Sequence, residues 1–111
     1  MTRKQAALLD SSQMRSLELE RDFQERVVTL ARLNGWRVYA VPDSRRATIA
    51  GYPDLTMWRG TRLVFAELKR ERGRLSPAQV EVLAELKRTG NEVYEWRPRD
   101  WDAIVECLRR S

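Results

Sequence analysis

The 111-residue sequence contains no histidine and a single cysteine, Cys107. Without histidine there is no imidazole base, no His-ligated metal centre and no Ser-His-Asp triad. One thiol excludes an intrachain disulfide, a Cys-rich zinc site and an Fe–S cluster built by one chain. Lysine is scarce too. Lys4, Lys69 and Lys87 stand against 18 arginines among the 21 cations. No apolar run approaches the roughly 18 residues of a membrane-spanning helix. The apolar stretch near the N-terminus, Ala6 to Leu9, is too short for a secretory core of roughly 7 to 15 residues. These absences, with the lone thiol, make an intracellular location the expectation, in the cytoplasm or nucleoid. Any chemistry must come from carboxylates, Lys, Arg, Tyr, Ser or a metal held by oxygen.

What is present suits one domain. Hydrophobic residues make up 42% of the chain and charged residues 33%, with four tryptophans and a formal net charge of +5. That is enough apolar material for one core. Arginine forks match phosphate oxygens, so the cation excess points towards nucleic acid. An arginine-rich genome composition would account for it equally well.

Residues 1–16 are polar with little periodicity and read as a flexible tail or a frayed helical extension. Helical spacing follows over 17–33, where Phe23, Val27, Leu30 and Ala31 form one stripe and Asn34-Gly35 marks the stop. Strands are expected over 36–41 (WRVYAV), 54–58 (DLTMW), 62–69 (RLVFAELK) and 91–97 (NEVYEWR). The short connection at 59–61 makes the second and third an antiparallel hairpin. Ser76-Pro77-Ala78-Gln79 is a helix start, with Ser as N-cap, Pro at N1 and Gln able to close a capping box. Val80, Leu83 and Leu86 continue that helix to Gly90. Asp100 is expected to cap a last helix with Trp101, Ile104, Val105 and Leu108 on one face. The order α-β-β-β-α-β-α suggests an α/β fold, a mixed sheet with helices packed on it.

The hairpin carries the chemistry. Paired residues of an antiparallel hairpin share a constant sum of residue numbers, and a turn centred between Gly60 and Thr61 pairs Asp54 with Glu67. Directly opposed residues share a face, with Cβ atoms about 4.5 to 5.5 Å apart. Lys69 lies two residues beyond Glu67 and points the same way. Two facing carboxylates are unfavourable unless something neutralises them, and a divalent cation would do so. Mg²⁺ takes oxygen ligands and keeps several waters. The Leu68 carbonyl could add a ligand, and Lys69 could orient or deprotonate a water or stabilise phosphate charge.

Pro53-Asp54, twelve residues, then Glu67-Leu68-Lys69 resembles the PD-(D/E)xK nuclease motif. The longer strings GYPDLTMWRG, LVFAELKRERGRLSPAQ and GNEVYEWRPRDWD are similar to the VRR-NUC branch of that superfamily. The likeness spans Glu20 to Leu108 and is greatest to small standalone VRR-NUC proteins of phages and bacteria. It implies a restriction-endonuclease-like fold over 17–111, and a host-cytoplasmic location if the protein is phage-encoded. It also implies that Asp54 and Glu67 bind the metal and that Lys69 is the catalytic lysine. Glu20, in LERDFQ, matches an acidic residue that can reach the metal or its water. Gln24 lies one turn on. Gln79 matches a glutamine facing the active site, a role that competes with its place in the capping box.

Arg45 and Arg46, with Tyr52 close behind, and Arg70, Arg72 and Arg74 are the candidates for DNA-backbone contact; for the first pair a solvated loop serves equally. Trp36, Trp58, Trp96 and Trp101 are expected in the core rather than as base-stacking platforms, and Cys107 as a buried or inert helix residue. Ser44 and Ser76 have no base to activate them, which excludes a serine hydrolase. The function expected is a metal-dependent, structure-selective DNA endonuclease using Mg²⁺, with Mn²⁺ as a substitute. Small relatives look like Holliday-junction resolvases, so branched DNA is the expected partner and a homodimer the expected assembly. The rivals are a nickase or exonuclease on duplex DNA, and a catalytically silent DNA-binding module.

Overall fold

The computed structural model describes residues 20–42 and 47–111. The expected tail at 1–16, the first three residues of the expected first helix, and Ser44, Arg45 and Arg46 lie outside the described residues. Helix α1 (Glu20–Leu33) buries Phe23, Val27 and Ala31, the stripe expected from the spacing. It ends as the sequence suggests. Gly35 takes φ 85°, Trp36 N–H reaches back 3.0 Å to the Ala31 carbonyl and Gly35 N–H reaches Arg32. This closing pair of bonds satisfies carbonyls that the helix end would leave bare.

Four strands follow: β1 (Arg37–Ala40), β2 (Leu55–Arg59), β3 (Arg62–Leu68) and, after helix α2 (Pro77–Lys87), β4 (Glu92–Trp96). They lie in chain order across one sheet. β1–β2 and β2–β3 are antiparallel, while β4 runs parallel to β3 because α2 carries the chain back across the sheet. The β2–β3 register runs from Leu55↔Ala66 to Arg59↔Arg62, the constant sum expected for a turn at Gly60–Thr61. A 3₁₀ turn (Pro98–Asp100) leads into helix α3 (Trp101–Arg109). The described residues therefore run α-β-β-β-α-β-α, a mixed four-stranded sheet flanked by three helices.

One sheet face, with Leu55, Met57, Val64, Ala66, Leu68 and Trp96, packs on α1 and α3 to form the main core. The other face carries Phe65 and Val93, which meet Leu83 of α2 in a smaller cluster. β3 is covered on both sides and is buried from Val64 to Leu68. Two sequence expectations change here. Trp36 and Trp96 are core, but Trp101 is half-buried and Trp58 is exposed, because its side of the sheet is covered by α2 only over β3 and β4. Asp100 does not cap α3. Its carboxylate accepts from Arg97 N–H at 2.8 Å, closing the 3₁₀ turn instead. In α3, Cys107 joins Ile104 and Leu108 in the core, while Val105 is half-buried.

The turn end of the hairpin is tied to the C-terminal helix by arginine. Arg62 forks onto both oxygens of Glu92, at 2.8 and 2.7 Å, and donates to the carbonyls of Cys107 and Arg110. Arg59 donates to the carbonyls of Asn34, Leu108 and Arg110. Both guanidinium groups lie over the Trp36 ring, at 4.7 and 4.8 Å, and the indole N–H itself bonds Leu108. Arg62→Ala would remove both forked bonds to half-buried Glu92, leaving it Tyr94 and Arg110, and would take the arginine donor from the Cys107 carbonyl. It should cost roughly 3 kcal/mol in urea denaturation. Arg62→Lys should recover less than half of that loss, since an ammonium cannot fork across Glu92.

Candidate active site

The site forms where β2 begins and β3 ends. β2 starts at Leu55, yet Asp54 continues its ladder, its carbonyl accepting from Val41 N–H at 3.1 Å. Likewise Lys69, just past β3, donates its N–H to Trp96 at 3.0 Å. The strand register therefore carries Asp54 to the position facing Glu67. The Asp54 carboxylate crosses the hairpin and accepts from Leu68 N–H at 2.8 Å, which fixes its orientation.

Glu67 is 2% exposed, the one buried charged residue among those described. Its Oε1 accepts from Gln79 Nε2 at 3.2 Å, while Oε2 is buried with no hydrogen-bond partner. An unpartnered buried carboxylate oxygen is costly, which makes Glu67 an exception in this core that asks for an explanation. Burial, with the Asp54 and Glu20 carboxylates adding to it and Lys69 opposing, pushes the Glu67 pKa up to about 9. Lys69 Nζ lies 4.0 Å from Glu20 Oε1, so the start of α1 brings a third carboxylate to the lysine. Gln24, one turn along α1, is half-buried.

Gln79 resolves the competition between its two expected roles by using different atoms. Its Oε1 accepts from Ser76 N–H at 2.8 Å and Ser76 Oγ accepts from Gln79 N–H at 3.1 Å, completing the capping box. Its Nε2 remains to hold Glu67. The cap thus locks the rotamer that reaches the carboxylate. A cavity of about 360 Å³ opens here, with Glu20, Asp54 and Gln79 in its wall beside Gly51, Tyr52 and Ile49. A larger groove of about 590 Å³ between α1 and Trp101 holds none of these except the neighbourhood of α1, and it is lined mainly by apolar surface.

Two contributors carried no clear signal in the sequence. Gly51 sits at φ 88°, and a Cβ there would lie 2.4 Å from the Ala78 carbonyl oxygen. Only glycine lets this loop press against the first turn of α2, beside Gln79. Arg97 donates to the carbonyls of Arg70 and Gly73, at 2.6 and 2.5 Å, and pins the 70–73 loop to the end of β4. The glycine was visible in the GYPD string, but its neighbour was not; Arg97 had nothing to distinguish it from 17 other arginines. Arg70, Arg72 and Arg74 are exposed on that pinned loop, and their guanidinium groups have no partner among the described residues.

The chain belongs to the VRR-NUC domain family, a nuclease family whose sequence model matches residues 11–100. Its fold is similar to that of Archaeoglobus fulgidus Hjc, a Holliday junction resolvase from an archaeal hyperthermophile, with a TM-score of 0.52 at 24% identity. The match covers 69% of this chain and 67% of that one. No curated protein matches the chain.

Glu67 binds its proton more tightly folded than unfolded, since burial raises its pKa from 4.5 to about 9. The stability this contributes is complete below the unfolded value and is lost as pH rises through the folded one. In chelator, the wild type should lose stability from pH 6 to pH 8 with a slope of at most ~1.4 kcal/mol per pH unit. Glu67→Gln, which has no charge to bury, should flatten that slope and melt higher at pH 8. Parallel melting profiles for the two proteins across this range would contradict the assignment.

Proposed function

We propose that this protein is a metal-dependent, structure-selective DNA endonuclease with a PD-(D/E)xK site formed by Asp54, Glu67 and Lys69. The observation that carries the reading is the buried Glu67 with one oxygen unpartnered, paired across the hairpin with Asp54 and two residues from Lys69. The donor chemistry fits a hard cation. Asp54, Glu67 and the Leu68 carbonyl are all oxygen. Among the described residues there is no cluster of three or more acidic or thiol side chains that could hold a metal. A cation with few protein ligands, completing its shell from water and phosphate, is the habit of Mg²⁺ and, by the same chemistry, of Mn²⁺. When bound, such an ion neutralises the facing carboxylates and withdraws charge from a phosphate oxygen.

The chain's own residues do the rest. Gln79 Nε2 holds Glu67 Oε1 and leaves Oε2 turned to the ligand. Lys69 Nζ, as an ammonium steadied by Glu20 from α1, orients the attacking water or stabilises the phosphate as its charge develops; as a neutral amine it would instead take the water's proton. Attack is in line with the departing 3′ or 5′ oxygen. Arg70, Arg72 and Arg74 hold the DNA backbone from the loop that Arg97 pins; Arg45 and Arg46 are proposed to assist. Such contacts make binding fall steeply with salt. A fold of this size leaves little room for reading base sequence, so DNA structure is the discriminating feature. Branched DNA is the proposed substrate class, in keeping with the resolvase fold likeness. A homodimer would place two such sites on one branch point.

The test is cleavage of linear, nicked, flapped and four-way DNA with and without Mg²⁺. Four-way DNA should be cut only with the metal. Asp54→Ala and Lys69→Ala should each reduce the rate by about 100-fold or more. Calorimetric Mg²⁺ titration should lose its signal in Glu67→Ala. Metal-independent cutting, or full activity in both variants, would refute the metal-dependent site of Asp54, Glu67 and Lys69, and no cutting of any substrate would refute the nuclease reading. Equal cutting of linear and branched DNA would instead point to a nickase or exonuclease.

A further inference from the structure

The described residues cover the second face of the sheet only in part. α2 lies over β3 and β4, where Phe65, Val93 and Leu83 close together. Among the described residues, Tyr52 reaches the β1–β2 half of that face, its hydroxyl 3.0 Å from that of Thr56, and leaves Tyr39 and Trp58 exposed. On that half stand Tyr39, 53% exposed, and Trp58, 43% exposed, with Arg37 exposed beside them. Arg37 is the direct cross-strand partner of Trp58, and Tyr39 pairs with Thr56, so Tyr39 and Trp58 are diagonal neighbours. Arg37 has no side-chain partner among the described residues. Alternation along β2 puts Trp58 on the same face as Asp54, about 13 Å away along the strand.

We propose that Tyr39 and Trp58 form a stacking platform for unpaired nucleotides next to the scissile phosphate, with Arg37 on the adjoining backbone. The proposal rests on the nuclease reading, which brings a DNA strand to Asp54. The chemistry selects the occupant. Aromatic faces accept bases only where these are unstacked, and an arginine among them takes the phosphate. A protein partner fits less well. Two half-exposed aromatics offer at most a few hundred Å², against roughly 800 Å² per partner in a stable interface. The platform lies on the same sheet face as Asp54 and Glu67, with Thr56 and the Tyr52 hydroxyl bonded to it in between. Duplex DNA presents phosphates but no free base faces, so the patch favours substrates with unpaired nucleotides near the cut. That gives structure selectivity a physical basis in two side chains.

The test measures binding in EDTA, where no strand is cut, by anisotropy of a labelled oligothymidylate and of a blunt duplex. Trp58→Ala should weaken oligothymidylate binding by roughly 5- to 100-fold, the loss expected for one base–aromatic stack. Tyr39→Ala should weaken it in the same direction, and Trp58→Phe should retain most of the affinity. Blunt-duplex binding should change by less than about twofold, because it rests on phosphate contacts. The wild-type preference for the single strand should widen as salt rises. Equal losses on both DNAs, or none on the single strand, would overturn the platform. So would sedimentation showing that Trp58→Ala dissociates a dimer, which would make the face a subunit contact. Because the readout is binding without metal, a failed platform leaves the Asp54 and Lys69 cleavage results standing. A protein that cuts nothing still reports on the platform.

Discussion

Two carboxylates that ought to repel each other are held face to face across the β2–β3 hairpin, one of them buried. Asp54 is oriented by the Leu68 N–H and Glu67 by the Gln79 amide. Neither contact satisfies Glu67 Oε2. The surrounding structure exists largely to maintain this arrangement. β3 is sandwiched between two layers, which excludes water from Glu67. The Ser76 cap holds Gln79 in reach, and Gly51 lets the preceding loop close on the same helical turn. Burial of an acid with an open lone pair is a poor way to stabilise a fold, so this carboxylate is an unusual feature of the core.

The opposite end of the hairpin shows the contrasting use of charge. Arg59 and Arg62 satisfy carbonyls at the ends of α1 and α3, and Arg62 shares two hydrogen bonds with Glu92. The Arg62 pKa is raised by that carboxylate and Glu92 is lowered in return. Tyr94 is pushed up to about 12 by burial and by the same Glu92. Here every charge has a partner. The hairpin thus has a satisfied end, which anchors it, and an unsatisfied end, which is available for chemistry. Arginine composition alone could not separate these anchoring arginines from the exposed ones at 70, 72 and 74, since they look alike in a list.

Much of the fold was legible because its signals are local. The α1 stripe, the Ser76–Gln79 cap, the glycine stop at Gly35 and the alternation in the strands each arise from a few neighbouring residues. The hairpin register was legible for a special reason. A tight turn at Gly60–Thr61 fixes every pair along two strands, so Asp54 and Glu67 could be placed together from their numbers. Asp100 misled, because a carboxylate three residues after Arg97 fits a 3₁₀ turn as readily as a helix cap. Trp58 misled because tryptophan is usually buried, and nothing in its strand says how far α2 extends over it.

The sequence by itself determined the order of elements, the pairing that brings Asp54, Glu67 and Lys69 to one face, and membership of the VRR-NUC family. These depend on spacing and turn chemistry, which act over short stretches of chain. Only the tertiary structure decided the depth of Glu67, the sharing of Gln79 between helix cap and carboxylate, and the pinning of the 70–73 loop by Arg97. It alone decided that, among the described residues, Tyr39 and Trp58 stand exposed on the sheet face that carries the site. Each of these depends on where a remote element comes to rest, and packing settles that only once the whole core has formed.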